Sequence, residues 1–131
     1  MSYVEYGKTE DKEEQKQVSA RKAYIINRLP YITQYVNNYY QEELNLAFIA
    51  NKCNISKEYL ARFFKKEMEL TVETYLNNVR AEHAYQELKK QKKNLTQVAI
   101  DNGFSSIRTM NRAFEKLYSK SASKIKKELI K

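Results

Sequence analysis

The chain has 131 residues and a formal charge of +8, from 24 Lys and Arg against 16 Asp and Glu. That length allows one compact domain or two very small ones sharing a core, and the basic surplus favours a polyanionic partner. Two Gly and one Pro are too few for an all-β fold built on many tight turns. Cys53 stands alone, which excludes an intrachain disulfide and suits a reducing, cytoplasmic setting. No apolar run approaches the ~20 residues of a membrane-spanning helix.

Residues 1–17, MSYVEYGKTEDKEEQKQ, are charged and poor in aliphatics; they predict a disordered lead or linker stub without a secretory signal. From Val18 onward Ala23, Ile26, Leu29, Ile32 and Val36 recur at the three- and four-residue steps of a helix face. Pro30 interrupts that stripe and predicts a break near Leu29–Pro30, with Pro30 in the first turn of the next helix. Tyr31, Tyr35, Tyr39 and Tyr40 share helical spacing and read as a packing stripe rather than a platform for stacked bases.

Asn45 is the expected N-cap of a short helix to Lys52, followed by a turn at Cys53, Asn54 and Ile55, with Asn54 suited to left-handed backbone. Ser56 then caps a helix to about Met68, and Thr71 caps a long one to about Lys90. Asn94, with Gln97 three residues on, resembles a capping box opening a helix over 95–102. Gly103 supplies the next turn, Ser105 or Ser106 caps a helix to about Tyr118, and a basic helix covers about 122–130. The expected architecture is all-α, with about seven helices. Its expected segments are the lead (1–17), the N-terminal helices with a first unit and linking helix (18–91), and a second unit with a C-terminal helix (92–131).

An internal repeat runs through this pattern. Leu46, Ile49, Ala50 and Ser56 correspond to Leu95, Val98, Ala99 and Ser105 at an offset of 49. After one inserted residue the offset is 50, and Leu60, Arg62, Phe64 and Lys66 correspond to Met110, Arg112, Phe114 and Lys116. Each unit reads as short helix, tight turn, second helix, which is the helix-turn-helix plan.

On a helical wheel, Leu60, Phe63 and Phe64 form the inner stripe of the first unit's second helix, and Glu58, Ala61, Arg62 and Lys65 point outward. In the second unit Met110, Ala113, Phe114 and Leu117 lie inside, and Arg108, Asn111, Arg112 and Glu115 outside. A charged outer face is ordinary on any helix; its duplication at equivalent positions sets these two apart. Such a face suits a DNA major groove, where Arg pairs with guanine, Asn with adenine, and Glu accepts from cytosine. Lys66 and Lys116 flank the two helices as expected phosphate contacts. The helix between the units carries Val72, Tyr75, Leu76 and Val79 on one side and Ala81, Ala84, Tyr85 and Leu88 on roughly the other, one packing face for each unit.

Three stretches, LNLAFIANKCNISKEYLARFFKKE, TVETYLNNVRAEHAYQEL and LTQVAIDNGFSSIRTMNRAFEKLY, resemble the AraC/XylS-type transcription regulators over about residues 32–127. The carrying features are RFFKKE closing the first unit, Arg80 inside the linking helix, and A-x-x-x-G-F followed by R-x-F in the second. The resemblance implies a bipartite, all-helical DNA-binding domain with recognition helices in adjacent major grooves. Carried over by position, the base-facing residues are Glu58, Ala61 and Arg62, then Ile107, Arg108, Asn111 and Arg112. Double-stranded DNA is thus the expected partner, at an asymmetric two-part site bound by a monomer, with RNA polymerase a further candidate. No cofactor, metal, membrane or enzymatic role is expected.

The chain departs from the family where Gly is usual at Glu69 and Ser119, an aromatic at Met110, a Pro at Ala122 and an aromatic at Ile125. These positions concern the turns after the recognition helices and the docking of the last helix. His83 and Cys53, thirty residues apart without an oxyanion-forming segment, read as structural rather than catalytic. The alternative to DNA binding is a helical protein-interaction module whose basic charge is incidental or meets an acidic partner.

Overall fold

The computed structural model describes residues 28–130, so the expected lead at 1–17 and the stripe's first part, Ala23 and Ile26, lie outside the described residues, while Ile32 and Val36 are buried. Two compact units divide the chain, Met1–Gln34 and Tyr35–Lys131. Among the described residues there are seven helices and no strand. They are α1 (described over 28–39), α2 (Leu46–Lys52), α3 (Lys57–Met68), α4 (Val72–Lys90), α5 (Leu95–Asp101), α6 (Ile107–Tyr118) and α7 (Ala122–Ile130). Arg28, Leu29 and Pro30 are helical, and the residues before Arg28, where the expected break near Leu29–Pro30 would have to lie, are outside the described residues. Of the tyrosine stripe, Tyr35 packs on Tyr39 and Tyr40 stacks on His83 at 4.2 Å, whereas Tyr31 and Tyr39 each leave somewhat under half of their surface exposed.

The caps follow the local sequence. Asn45, Ser56, Thr71 and Asn94 each accept a backbone N–H three residues on, satisfying a donor with no intrahelical partner. The reciprocal half of the box at Asn94 is missing, because the Gln97 amide donates forward to Asp101 at 2.6 Å. The reciprocal box lies at Ser106 and Thr109 instead. Ser106, not Ser105, is therefore the counterpart of Ser56, and Ser105 is the inserted residue. The turns before these caps match: Ile55 N–H donates to Ala50 and Phe104 N–H to Ala99, with Asn54 and Gly103 both at positive φ.

The repeat continues past α3 and α6. Glu69 and Ser119 end α3 and α6 in the left-handed conformation, at φ 61° and 62°. Thr71 and Ser121 then accept the N–H of Thr74 and Lys124. Turns that usually hold Gly are therefore built with side chains, at a cost of about 1–2 kcal/mol each. The departures at Ala122, Ile125 and Met110 leave α7 docked, since all three are buried in the core of the second unit.

Helix α4 is one continuous rod of 19 residues, about 28 Å at ~1.5 Å per residue. Val72, Leu76 and Val79 are buried on its N-terminal half, where α3 packs; Ala81, Ala84 and Leu88 join the core built by α5, α6 and α7. At its far end Lys93 meets Asp101 at 2.7 Å and Glu87 at 3.0 Å. The bond to Asp101, then that to Glu87, holds the Lys93 ammonium above its ordinary pKa, and Lys93 holds the Asp101 carboxyl below its own.

Midway along α4, Arg80 donates from Nε to the Tyr40 carbonyl at 2.7 Å and from Nη2 to the Glu42 carbonyl at 2.8 Å. Gly103 presses against the same point: a Cβ there would lie 2.3 Å from the Tyr40 oxygen and 2.6 Å from Arg80 Nε, and its φ is +89°. Gly103→Ala should therefore lower the unfolding free energy by more than about 2 kcal/mol. Ser119→Gly, which relieves left-handed strain in open surroundings, should raise it by about 0.5–1 kcal/mol after the entropy of the unfolded glycine is subtracted. Urea unfolding followed by circular dichroism measures both; an undiminished Gly103→Ala protein would contradict the close approach.

Candidate nucleic-acid interface

Helices α3 and α6 hold their residues in the same order of exposure. Leu60, Phe63 and Phe64 are buried, as are Met110, Ala113 and Phe114; Arg62, Lys65 and Lys66 are exposed, as are Arg112, Glu115 and Lys116. Ala61 and its counterpart Asn111 are half-buried. The cause is the i, i+3, i+4 spacing of the apolar residues against α2 and α4 in one case and α4, α5 and α7 in the other. Glu58, Arg62, Lys65, Lys66, Arg108, Arg112, Glu115 and Lys116 make no side-chain hydrogen bond or ion pair with any described residue. Their charged heads are free to meet a ligand.

Along α6, Ile107, Arg108, Asn111, Arg112 and Glu115 line one shallow hollow of about 530 Å³, so the residues expected at the second reading face do come together. Arg112 and Lys116 also border an open cleft of about 590 Å³ whose opposite wall is the N-terminal half of α4, with Thr74, Asn77 and Asn78. Ala61 lines a neighbouring cleft against Thr71, Glu73 and Asn77. These polar α4 residues escaped the sequence reading, although 73, 74, 77 and 78 share one side of a helix and gave the available signal.

Two residues behave differently from the expectation. Asn111 is bonded to Ser123 of α7: the Ser123 N–H donates to Asn111 Oδ1, and Asn111 Nδ2 donates to Ser123 Oγ, both at 3.2 Å. Arg80, which the sequence offered only as a family feature, is the anchor described above, and burial pulls its guanidinium below the ordinary pKa.

The helix-turn-helix domain family matches residues 49–128, more than half of the chain. The chain belongs to this family. Among solved structures it is similar to a protein of unknown function from Listeria innocua, at 28% identity over 77% of this chain and 96% of that one, with a TM-score of 0.73. It is also similar to the C-terminal domain of the two-component response regulator yesN from Fusobacterium nucleatum, at 23% identity over 76% and 98% of the two chains, TM-score 0.70. A probable AraC family transcriptional regulator from Rhodopseudomonas palustris shares the fold at 16% identity, 75% and 93% coverage and TM-score 0.67. No curated protein sequence matches the chain.

Because Arg62 and Arg112 are exposed and hold nothing in the fold, Arg62→Ala and Arg112→Ala should each change the unfolding free energy by less than about 0.5 kcal/mol. Chemical denaturation of the two variants checks this. A larger loss would show that these side chains serve the fold.

Proposed function

We propose that this domain binds duplex DNA sequence-specifically, with α3 and α6 in adjacent major grooves, and regulates transcription from that site. The observation that carries the reading is the duplicated unit, which presents Arg62 and Arg112 at equivalent exposed positions with no described partner. An exposed Arg fork fits O6 and N7 of guanine; Glu58 can accept from cytosine, and Ala61 and Ile107 can meet a thymine methyl. Arg108 adds a second fork on α6. Lys65, Lys66 and Lys116 are point charges suited to phosphates, which position the protein without reading sequence.

The spacing supports simultaneous use of both helices. Helix α4, about 28 Å long, approaches the ~34 Å between successive major-groove entries on one face of DNA. The two reading faces are unlike, since Glu58 corresponds to Arg108, Ala61 to Asn111 and Lys65 to Glu115. One chain therefore occupies one asymmetric site as a monomer, with two unlike half-sites ~10 bp apart. The working units are the expected 18–91 and 92–131. RNA polymerase is the protein partner that a regulator of transcription implies, and the cytoplasm is where it would meet both.

Arg62→Ala and Arg112→Ala should each weaken binding by about 1–3 kcal/mol and relax preference at one position of their own half-site. Lys66→Ala and Lys116→Ala should weaken cognate and scrambled duplexes alike and flatten the log–log salt slope by about one unit. Titrations on both duplexes across a salt series test this. Equal losses on the two duplexes for the Arg variants would assign those residues to phosphates, and no shift of any duplex would favour the protein-interaction alternative.

A further inference from the structure

The two recognition helices differ in what holds them to the helix that follows. By the repeat, Ser123 corresponds to Glu73 and Asn111 to Ala61, so the first unit has nothing resembling the Asn111–Ser123 pair. The Ser123 N–H belongs to the first turn of α7, where backbone donors lack an intrahelical acceptor. Ser121 satisfies the N–H of Lys124, and Asn111, reaching across from α6, satisfies that of Ser123. The other half of the Asn111 amide is engaged as well, because Nδ2 donates to Ser123 Oγ at 3.2 Å. Reading adenine takes both halves of an Asn amide, one donating to N7 and one accepting from N6–H. Asn111 would have to break both bonds to Ser123 and leave that N–H half-buried without an acceptor, a recognised penalty.

We infer that Asn111 is a strut joining α6 to α7 and not a base reader, so that α6 reads its half-site through Arg108 and Arg112. This rests on the DNA-binding reading above and deepens it. Arg108 and Arg112 lie four residues apart on the outer face and are both exposed. Two neighbouring forks of that kind select guanines, and no position in the second half-site owes a preference for adenine to Asn111. The half-burial of Asn111 thus belongs to the docking of α7, whose Ala122 and Ile125 are buried on the same core as Met110 and Phe114.

Selection of bound duplexes from a random pool by the wild-type chain, Asn111→Ala and Arg112→Ala tests the inference, together with exchange of the Ser123 amide followed by NMR. Asn111→Ala should select the wild-type sequence at every position, with a thermal midpoint below that of the wild type. Asn111→Asp, which keeps the acceptor for Ser123, should regain that midpoint. In the wild-type complex with DNA, the Ser123 amide should exchange no faster than in the free protein. Loss of an adenine preference on Asn111→Ala, by the roughly 5- to 150-fold that a bidentate pair provides, would overturn the inference. So would faster exchange at Ser123 in the complex, a measurement that decides the matter even if Asn111→Ala does not fold. An unchanged preference in Arg112→Ala would instead count against base reading by α6, and Ser123 exchange would still decide the role of Asn111.

Discussion

The fork of Arg80 is the contact on which the rest depends, because three separate parts of the chain meet there. The carbonyls of Tyr40 and Glu42, just past the end of α1, accept from its Nε and Nη2. The guanidinium stands in the middle of α4, between the face that packs on α3 and the face that packs on the second unit. Gly103, in the turn of the second unit, lies close enough that no side chain fits. Gln41 adds a bond to the Asp101 carbonyl beside that turn, at 2.9 Å. Carbonyls at a helix C-terminus carry partial negative charge and lack intrahelical donors, so a cation with several fixed N–H groups suits them. A lysine would supply one mobile point of charge where the geometry asks for two fixed directions. Half-burial of the guanidinium is offset by those two bonds.

That joint gives the duplication its use. Two small helix-turn-helix units, each with a limited core, gain from sharing one long helix rather than being tethered by a flexible strand. A rigid connection would, in the proposed two-groove binding, remove the freedom the second unit otherwise loses, the general benefit of preorganisation. Helices α4 and α7, equivalent in the repeat, open in the same way. Both start with a left-handed residue, one intervening residue and a Ser or Thr cap. Helix α4 then runs on far enough to present Ala81, Ala84 and Leu88 to the second core.

Much of this was legible in the sequence, for identifiable reasons. The caps at Asn45, Ser56, Thr71 and Asn94 act over three residues, and the two-sided stripe of α4 is a matter of angular position along one helix. Both are short-range properties that spacing encodes. What escaped depends on neighbours distant in the chain. Arg80 meets Tyr40 across 40 residues, and Asn111 meets Ser123 across 12. A wheel placed Asn111 on the outer side of α6, yet it cannot show that α7 arrives beside that edge. The sequence left the cap open between Ser105 and Ser106 for a related reason. Either serine could cap, and the register was settled by Phe104, whose burial and bond to Ala99 fix where the turn ends.

The turns show how context outweighs residue preference. Asn54, Glu69, Gln91 and Ser119 are all left-handed without being glycine, and of these only Asn54 has a side chain that favours the conformation. At Glu69 and Ser119 the chain leaves one buried helix and must start another two residues later, with Phe64 and Val72, or Phe114 and Ala122, already fixed in the core. Burial of a side chain such as Phe64 or Phe114 is worth about 1.5–3 kcal/mol, enough to outweigh the strain of one left-handed residue, so the packing dictates the turn. The helices supporting α3 and α6 from behind are therefore set by the same device in both units. Nothing in that device constrains the outward residues, and this is where the two units diverge: Arg62 and Arg112 agree, while Glu58 and Arg108, or Lys65 and Glu115, carry opposite charge. A fold that repeats its support and varies its exposed face can present two different surfaces at one fixed spacing.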